Sequence, residues 1–196
     1  MDILKEISNI GIIPVIKIND ASKAVPLAKA LIDGGLAAAE VTFRTDAAEE
    51  SIRAISKAFP DMIVGAGTVL TIDQAQRALN AGAKFIVSPG FNPKVVKWCL
   101  EQGVTPLPGI NTPSEIEQAL ELGLKVVKFF PAEQSGGLAK IKAMSAPYGG
   151  VKFMPTGGIN TENVCEYLAS NKILACGGSF MVKESYIDND NWDEIT

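Results

Sequence analysis

Gly123-Leu124-Lys125-Val126-Val127-Lys128-Phe129-Phe130-Pro131 is the stretch that decides the fold. A glycine that ends a helix leads into a short run of β-branched and aromatic residues, and a proline stops the run. Two earlier stretches repeat the plan, Gly82-Ala83-Lys84-Phe85-Ile86-Val87-Ser88-Pro89 and Gly103-Val104-Thr105-Pro106-Leu107-Pro108. The leading glycines lie 21 and then 20 positions apart. That period suits one strand plus one helix.

Extended over the chain, the plan gives eight strands, near Ile12–Lys17, Ala38–Phe43, Ile63–Thr68, Phe85–Pro89, Thr105–Gly109, Val126–Phe130, Lys152–Thr156 and Leu174–Gly178. Helices are expected near Ala21–Asp33, Ala47–Ala58, Ile72–Asn80, Pro93–Gln102, Pro113–Leu122, Leu138–Ala146 and Thr161–Ala169, with Thr71 and Thr161 as N-caps. Strict alternation implies a parallel sheet, and eight units imply a closed (β/α)8 TIM barrel over residues 1–196 as one domain. An open doubly wound sheet is the other candidate, but no G-x-G-x-x-G follows the first strand. The chain is short for a barrel, typically ~250 residues. Asn191-Trp192-Asp193-Glu194-Ile195 reads as the start of an incomplete C-terminal helix.

The totals exclude several classes of function. The net charge is −4 and no basic stripe is visible, so nucleic acid is not an expected partner. No apolar run reaches the ~20 residues of a membrane span. The N-terminal Met1-Asp2-Ile3-Leu4-Lys5-Glu6 is amphipathic and acidic, unlike a signal peptide, and a cytoplasmic location follows. The three cysteines, Cys99, Cys165 and Cys176, form no C-x-x-C and read as reduced. Histidine is absent altogether. That removes the usual metal ligand and every plan with a histidine base, so no metal or cofactor is expected. Acid–base work falls to Glu, Asp, Lys, Tyr or water.

Active sites of such barrels lie at the C-terminal ends of the strands. The sixth strand brings Lys128 there, between two valines and two phenylalanines. Burying an ammonium group in such surroundings is costly and favours the neutral amine, a nucleophile towards carbonyls. The plain alternative is a lysine that reaches to the strand's end and stays charged. Glu40 follows Ala37-Ala38-Ala39 in a buried-strand pattern; it is either a functional carboxylate or half of an ion pair with Lys128 or Arg44. Arg44 suits bidentate capture of a carboxylate, or is a surface loop residue. Thr68 follows Gly65-Ala66-Gly67, where it either caps a turn or stands beside a glycine that lets a ligand approach the backbone. Thr156-Gly157-Gly158 and Gly177-Gly178-Ser179 end the seventh and eighth strands, where barrel loops often bind phosphate. Glu133 reads as a solvated loop charge, and Lys84, Lys125 and Lys152 sit at strand starts with no chemistry.

Together these segments resemble the 2-keto-3-deoxy-6-phosphogluconate aldolases, many of which also cleave 4-hydroxy-2-oxoglutarate. The matching residues are Ile13-Pro14-Val15, Glu40-Val41-Thr42-Phe43-Arg44-Thr45, Val64-Gly65-Ala66-Gly67-Thr68, Ser88-Pro89-Gly90, Pro108-Gly109-Ile110, Val127-Lys128-Phe129-Phe130-Pro131-Ala132-Glu133, Pro155-Thr156-Gly157-Gly158-Ile159 and Gly177-Gly178-Ser179. They run in family order over nearly the whole chain. The resemblance implies a class I aldolase in which Lys128 forms the Schiff base and Glu40 moves the proton. It implies that Arg44 and Thr68 hold the pyruvyl carboxylate, and that Pro89 and Phe130 wall the pocket. Thr156 would touch the hydroxyl that sets stereoselectivity, and Gly157, Gly158 and Ser179 would bind phosphate. The implied substrate is a phosphorylated 2-keto acid and the implied assembly a homotrimer. Lys17 stands where many relatives place Arg. A 2-keto-3-deoxy-6-phosphogalactonate aldolase, a phosphate-binding barrel without a Schiff base, and a non-catalytic binding barrel are the competing readings.

Overall fold

A computed structural model describes residues 2–196; Met1, the first residue of the amphipathic N-terminal stretch, lies outside them. Nine short strands run parallel wherever they pair. In chain order they are β1 (Ile12–Ile16), β2 (Ala38–Thr42), β3 (Ile63–Gly67), β4 (Phe85–Val87), β5 (Thr105–Leu107), β6 (Gly109–Ile110), β7 (Val126–Phe129), β8 (Lys152–Pro155) and β9 (Cys176–Gly178). Six form one sheet in the order β5-β4-β3-β2-β1-β9, and three form another in the order β6-β7-β8. The result is an α/β fold with a curled parallel sheet. The fifth expected strand is two pieces, β5 and β6, because Pro108 between them has no N–H for a ladder. Its carbonyl still accepts from the Lys128 N–H at 2.9 Å.

Helices alternate with the strands as the glycine period requires: α2 (Ala24–Asp33), α3 (Ala48–Ala58), α4 (Ile72–Asn80), α5 (Pro93–Glu101), α6 (Pro113–Glu121), α7 (Gly137–Ser145) and α8 (Val164–Leu168). Gly82, Gly103 and Gly123 take left-handed backbone angles, with φ of 103°, 71° and 79°. Just beyond each, the N–H of Ala83, Val104 or Leu124 reaches back to the carbonyl of Ala78, Cys99 or Ala119. One glycine-terminated stop thus recurs in three successive units. Thr71 caps α4 by accepting from the Gln74 N–H. Thr161 does not cap α8; Asn160 and Asn163 build the turn there through their own side chains, and the helix starts later.

Side-chain alternation sorts each strand. On β2, Ala39 and Val41 pack towards the helices, whereas Ala38 lies in a second cluster on the inner face of the sheet. On β7, Val127 and Phe129 face the helices and Val126 faces inward. The inner cluster gathers Ile13, Ile63, Phe85, Leu107, Val126 and Met154, each from a different strand. Its floor is Ile7 of α1 (Ile3–Ile10), which is fully buried. The residues above Ala38 and Val126 on the same inner face are Glu40 and Lys128.

The C-terminal stretch differs from expectation. α9 (Glu184–Asp188) precedes it, and Asn191–Ile195 holds a 3-10 turn at Trp192–Glu194 instead of an α-helix. Ile187 and Ile195 are buried there. No helix among the described residues is long and apolar enough to cross a membrane.

Candidate active site

Strand period places Glu40 of β2 and Lys128 of β7 on one inner face, far apart in sequence but neighbours in space. Lys128 is 5% exposed and Glu40 0%. Lys128 Nζ stands 3.5 Å from Glu40 Oε1. It also lies 5.2 Å from the centroid of the Phe130 ring. Neither oxygen of Glu40 has a hydrogen-bond partner among the described residues. Buried carboxylates normally accept several hydrogen bonds. The amine and the carboxylate are therefore close enough to exchange a proton through a third group, and both have bonding capacity to spare.

Gly67 makes this placement possible. A Cβ on Gly67 would stand 2.1 Å from Glu40 Oε1 and 2.7 Å from its Cγ. The glycine serves a protein side chain, where the sequence suggested ligand access. Gly177 has the same relation to Thr156, whose Oγ1 would lie 2.4 Å from an added Cβ. Thr156 Oγ1 is also buried without a partner.

A pocket of about 300 Å³ opens above the pair. All ten residues singled out from the sequence line it: Lys128 and Glu40 at its base, with Arg44, Thr68, Pro89, Phe130, Thr156, Gly157, Gly158 and Ser179 around them. Arg44 does not pair with Glu40; its Nε donates to Thr42 Oγ1 at 3.0 Å. Thr42 Oγ1 in turn donates to the Ile16 carbonyl at 2.7 Å. Thr68 holds φ at 54°, a left-handed conformation that β-branched residues rarely adopt. Strain of that kind persists where the surroundings impose it, often at a ligand site. Gly157 and Gly158 also turn through positive φ, at 100° and 80°. Lys17 points to a neighbouring hollow and pairs with Glu184 at 2.7 Å.

The sequence reading gave Thr42 no role, although it is two residues from Glu40 and period two puts both on one face. It also read Glu133 as a free charge. Glu133 accepts a hydrogen bond from the hydroxyl of buried Tyr167. Burial, and after it that bond, push the Tyr167 hydroxyl well above its usual value. Burial pushes the Cys176 thiol up to about 12 and the Cys99 thiol up to about 11, so neither is a thiolate at neutral pH. Among the described residues, no group of three or more His, Cys, Asp or Glu could hold a metal ion.

The family model for KDPG and KHG aldolases matches residues 3–196. A 2-dehydro-3-deoxy-phosphogluconate aldolase of Treponema pallidum is 51% identical over 194 residues, 99% of this chain and 92% of the relative. The enzyme of the same name from Haemophilus influenzae is 47% identical over 98% of this chain and 91% of its own. Among solved structures, a KDPG aldolase of Legionella pneumophila is 39% identical, with a TM-score of 0.94 over 98% of this chain and 94% of that one. That structure holds pyruvate captured at low pH as a covalent carbinolamine intermediate.

Proposed function

We infer the reaction from the premise that the chain belongs to the KDPG and KHG aldolase family: it is a class I carbon–carbon lyase. It cleaves 2-keto-3-deoxy-6-phosphogluconate to pyruvate and glyceraldehyde 3-phosphate through a lysine Schiff base. The observation that carries the assignment of residues is the buried pair, Lys128 Nζ at 3.5 Å from a Glu40 carboxylate whose oxygens have no hydrogen-bond partner among the described residues.

The neutral amine of Lys128 adds to the C2 ketone and gives a carbinolamine. Loss of water leaves a protonated imine, which draws electrons from the neighbouring bonds. Glu40 takes the proton of the C4 hydroxyl, directly or through water, as the C3–C4 pair flows into the imine. The C4 oxygen becomes the aldehyde of glyceraldehyde 3-phosphate, and the lysine keeps an enamine. Glu40 returns the proton to C3, and water hydrolyses the resulting imine to pyruvate and free Lys128. Arg44 and Thr68 hold the carboxylate, Pro89 and Phe130 wall the reacting carbons, and Thr156 meets a substrate hydroxyl. The turn at Gly157 and Gly158, with Ser179 opposite, takes the phosphate.

Cleavage of 4-hydroxy-2-oxoglutarate to pyruvate and glyoxylate belongs to the same proposal, since it needs the same pair and no phosphate. So does a closed eight-strand barrel over one domain. Parallel bridges from Phe153 to Ile173 and from Thr156 to Gly177 join the two sheets at one seam, which supports closure. The homotrimer and the cytoplasmic location rest on the family resemblance.

Borohydride reduction in the presence of pyruvate tests the reading. Lys128→Ala and Lys128→Arg both lose the reduced adduct and cleavage, because a guanidinium stays protonated. Glu40→Gln keeps the adduct and loses about 10²–10⁴ in cleavage and in pyruvate proton exchange. An adduct on Lys128→Ala would move the nucleophile elsewhere, with Lys17 the first to test. Full proton exchange in Glu40→Gln would leave Glu40 a structural ion-pair partner.

A further inference from the structure

We propose that Glu133 and Tyr167 form a clamp behind the Gly157-Gly158 turn and are positioning residues for recognition of the substrate's phosphate. The proposal rests on the phosphate assignment above and adds to it two residues that line no part of the pocket.

Glu133 grips the turn with its backbone and its side chain. The Ala132 N–H donates to the Thr156 carbonyl at 2.8 Å, and the Glu133 N–H to the Gly157 carbonyl at 3.1 Å. Glu133 Cβ and Cγ occupy the space of a Gly158 side chain, each 2.6 Å from where its Cβ would stand. Beyond them the carboxylate accepts the hydroxyl hydrogen of Tyr167. Tyr167 is 2% exposed, so its ring is fixed by the core. It belongs to α8, and the residue before that helix, Asn163, donates through Nδ2 to the Gly158 carbonyl at 3.0 Å.

The contacts form a ring: Gly158 to Asn163, along α8 to Tyr167, across to Glu133, and back to Gly157 and Gly158. Nothing in the ring touches the reacting carbons. It meets the pocket at the Gly157-Gly158 turn, the stretch assigned to the phosphate. Gly137 closes the back, since a Cβ there would lie 3.0 Å from both Glu133 Oε1 and the Tyr167 hydroxyl. Two glycines in left-handed conformations have little stiffness of their own. An anion site made of backbone N–H groups needs its donors held in place before the ligand arrives. The clamp supplies that stiffness from the core.

The test compares a phosphorylated substrate with pyruvate in the full chain. Tyr167→Phe keeps the ring and removes one hydroxyl; Glu133→Ala removes the wedge as well. Both should raise KM for 2-keto-3-deoxy-6-phosphogluconate about tenfold, equivalent to ~1.4 kcal/mol of lost binding, with kcat within about threefold. Pyruvate proton exchange and borohydride trapping, which need no phosphate, should not change. Glu133→Gln retains an oxygen for the Tyr167 hydroxyl and should restore most of the affinity. Equal losses for the phosphorylated substrate and pyruvate would make the bond a general stability contact and overturn the proposal. An unchanged KM in Tyr167→Phe and Glu133→Ala would overturn it as well. Failure of the wild-type chain to trap pyruvate would instead remove the aldolase reading itself.

Discussion

Gly67→Ala isolates the placement of Glu40 from its chemistry. Gly67 lies opposite Thr42 in the β2–β3 ladder, and its carbonyl accepts from the Phe43 N–H at 2.7 Å. Its φ is not in the left-handed region, so alanine brings no backbone strain. The added methyl would stand 2.1 Å from Glu40 Oε1, 2.7 Å from Cγ and 2.8 Å from Cδ. Carbon and oxygen atoms settle near ~3.5 Å, so the carboxylate has to move by about 1 Å or more. A displacement of that size at a reacting group costs about 10²-fold, and losing the base altogether costs about 10²–10⁴. The stability effect is smaller. Overpacking costs about 1–3 kcal/mol, and the stiffer unfolded chain returns about 0.4–1 kcal/mol. At ~2–4 °C per kcal/mol, the melting temperature should fall by no more than about 10 °C. Pyruvate release in a coupled dehydrogenase assay should drop by about 10²-fold or more, while the borohydride adduct on Lys128, read by mass, still forms. Cleavage within about threefold of wild type would refute the reasoning, because Glu40 would then act from elsewhere or not act at all.

The sequence made the frame legible because the frame is local. Each glycine stop is written within six residues of its helix, and each buried strand is a short apolar run. Lys128 stood out for the same reason, as a charge inside such a run. The rest lay in distances between strands. Gly67 looks like a ligand-facing glycine until Glu40 is seen filling its vacant side-chain space. Thr42 carries an ordinary strand residue's signature, and only the fold puts its hydroxyl against Arg44. The N-terminal stretch read as amphipathic but was assigned no helix, and the place of α1 as the floor of the inner cluster depends on Ile7 joining residues as far along the chain as Ala175. The split at Pro108 could have been read from the missing N–H. The family resemblance bridged these gaps for the site residues, since it carries spatial information that no local pattern holds.

Three further outcomes follow from the same geometry. Ser179→Asp puts a carboxylate at the pocket wall beside the turn proposed for the phosphate, and should raise KM for the phosphorylated substrate by at least about tenfold while sparing pyruvate exchange; equal effects on both would take Ser179 out of the proposed phosphate site. Alkylation by iodoacetamide at pH 8 should reach exposed Cys165 and spare Cys99 and Cys176, whose thiols stay protonated; because their folded values are raised, the stability they contribute is complete below about pH 9 and falls as pH rises towards 11–12. Peptide mapping that found label on Cys176 would contradict that burial. Thr156→Val should separate stability from selectivity. Its hydroxyl is buried with no partner among the described residues, an arrangement that costs about 1–3 kcal/mol until a substrate hydroxyl arrives. Replacing it with a methyl removes that cost, so the melting temperature should rise by about 2–4 °C or more. The same change removes the hydroxyl that the proposed mechanism sets against a substrate hydroxyl. The ratio of kcat/KM for the gluconate-derived over the galactonate-derived substrate should therefore fall, because an unpaired buried hydroxyl no longer penalises the wrong isomer. A lower melting temperature with an unchanged ratio would mean that Thr156 serves the fold and leaves stereochemistry to other residues.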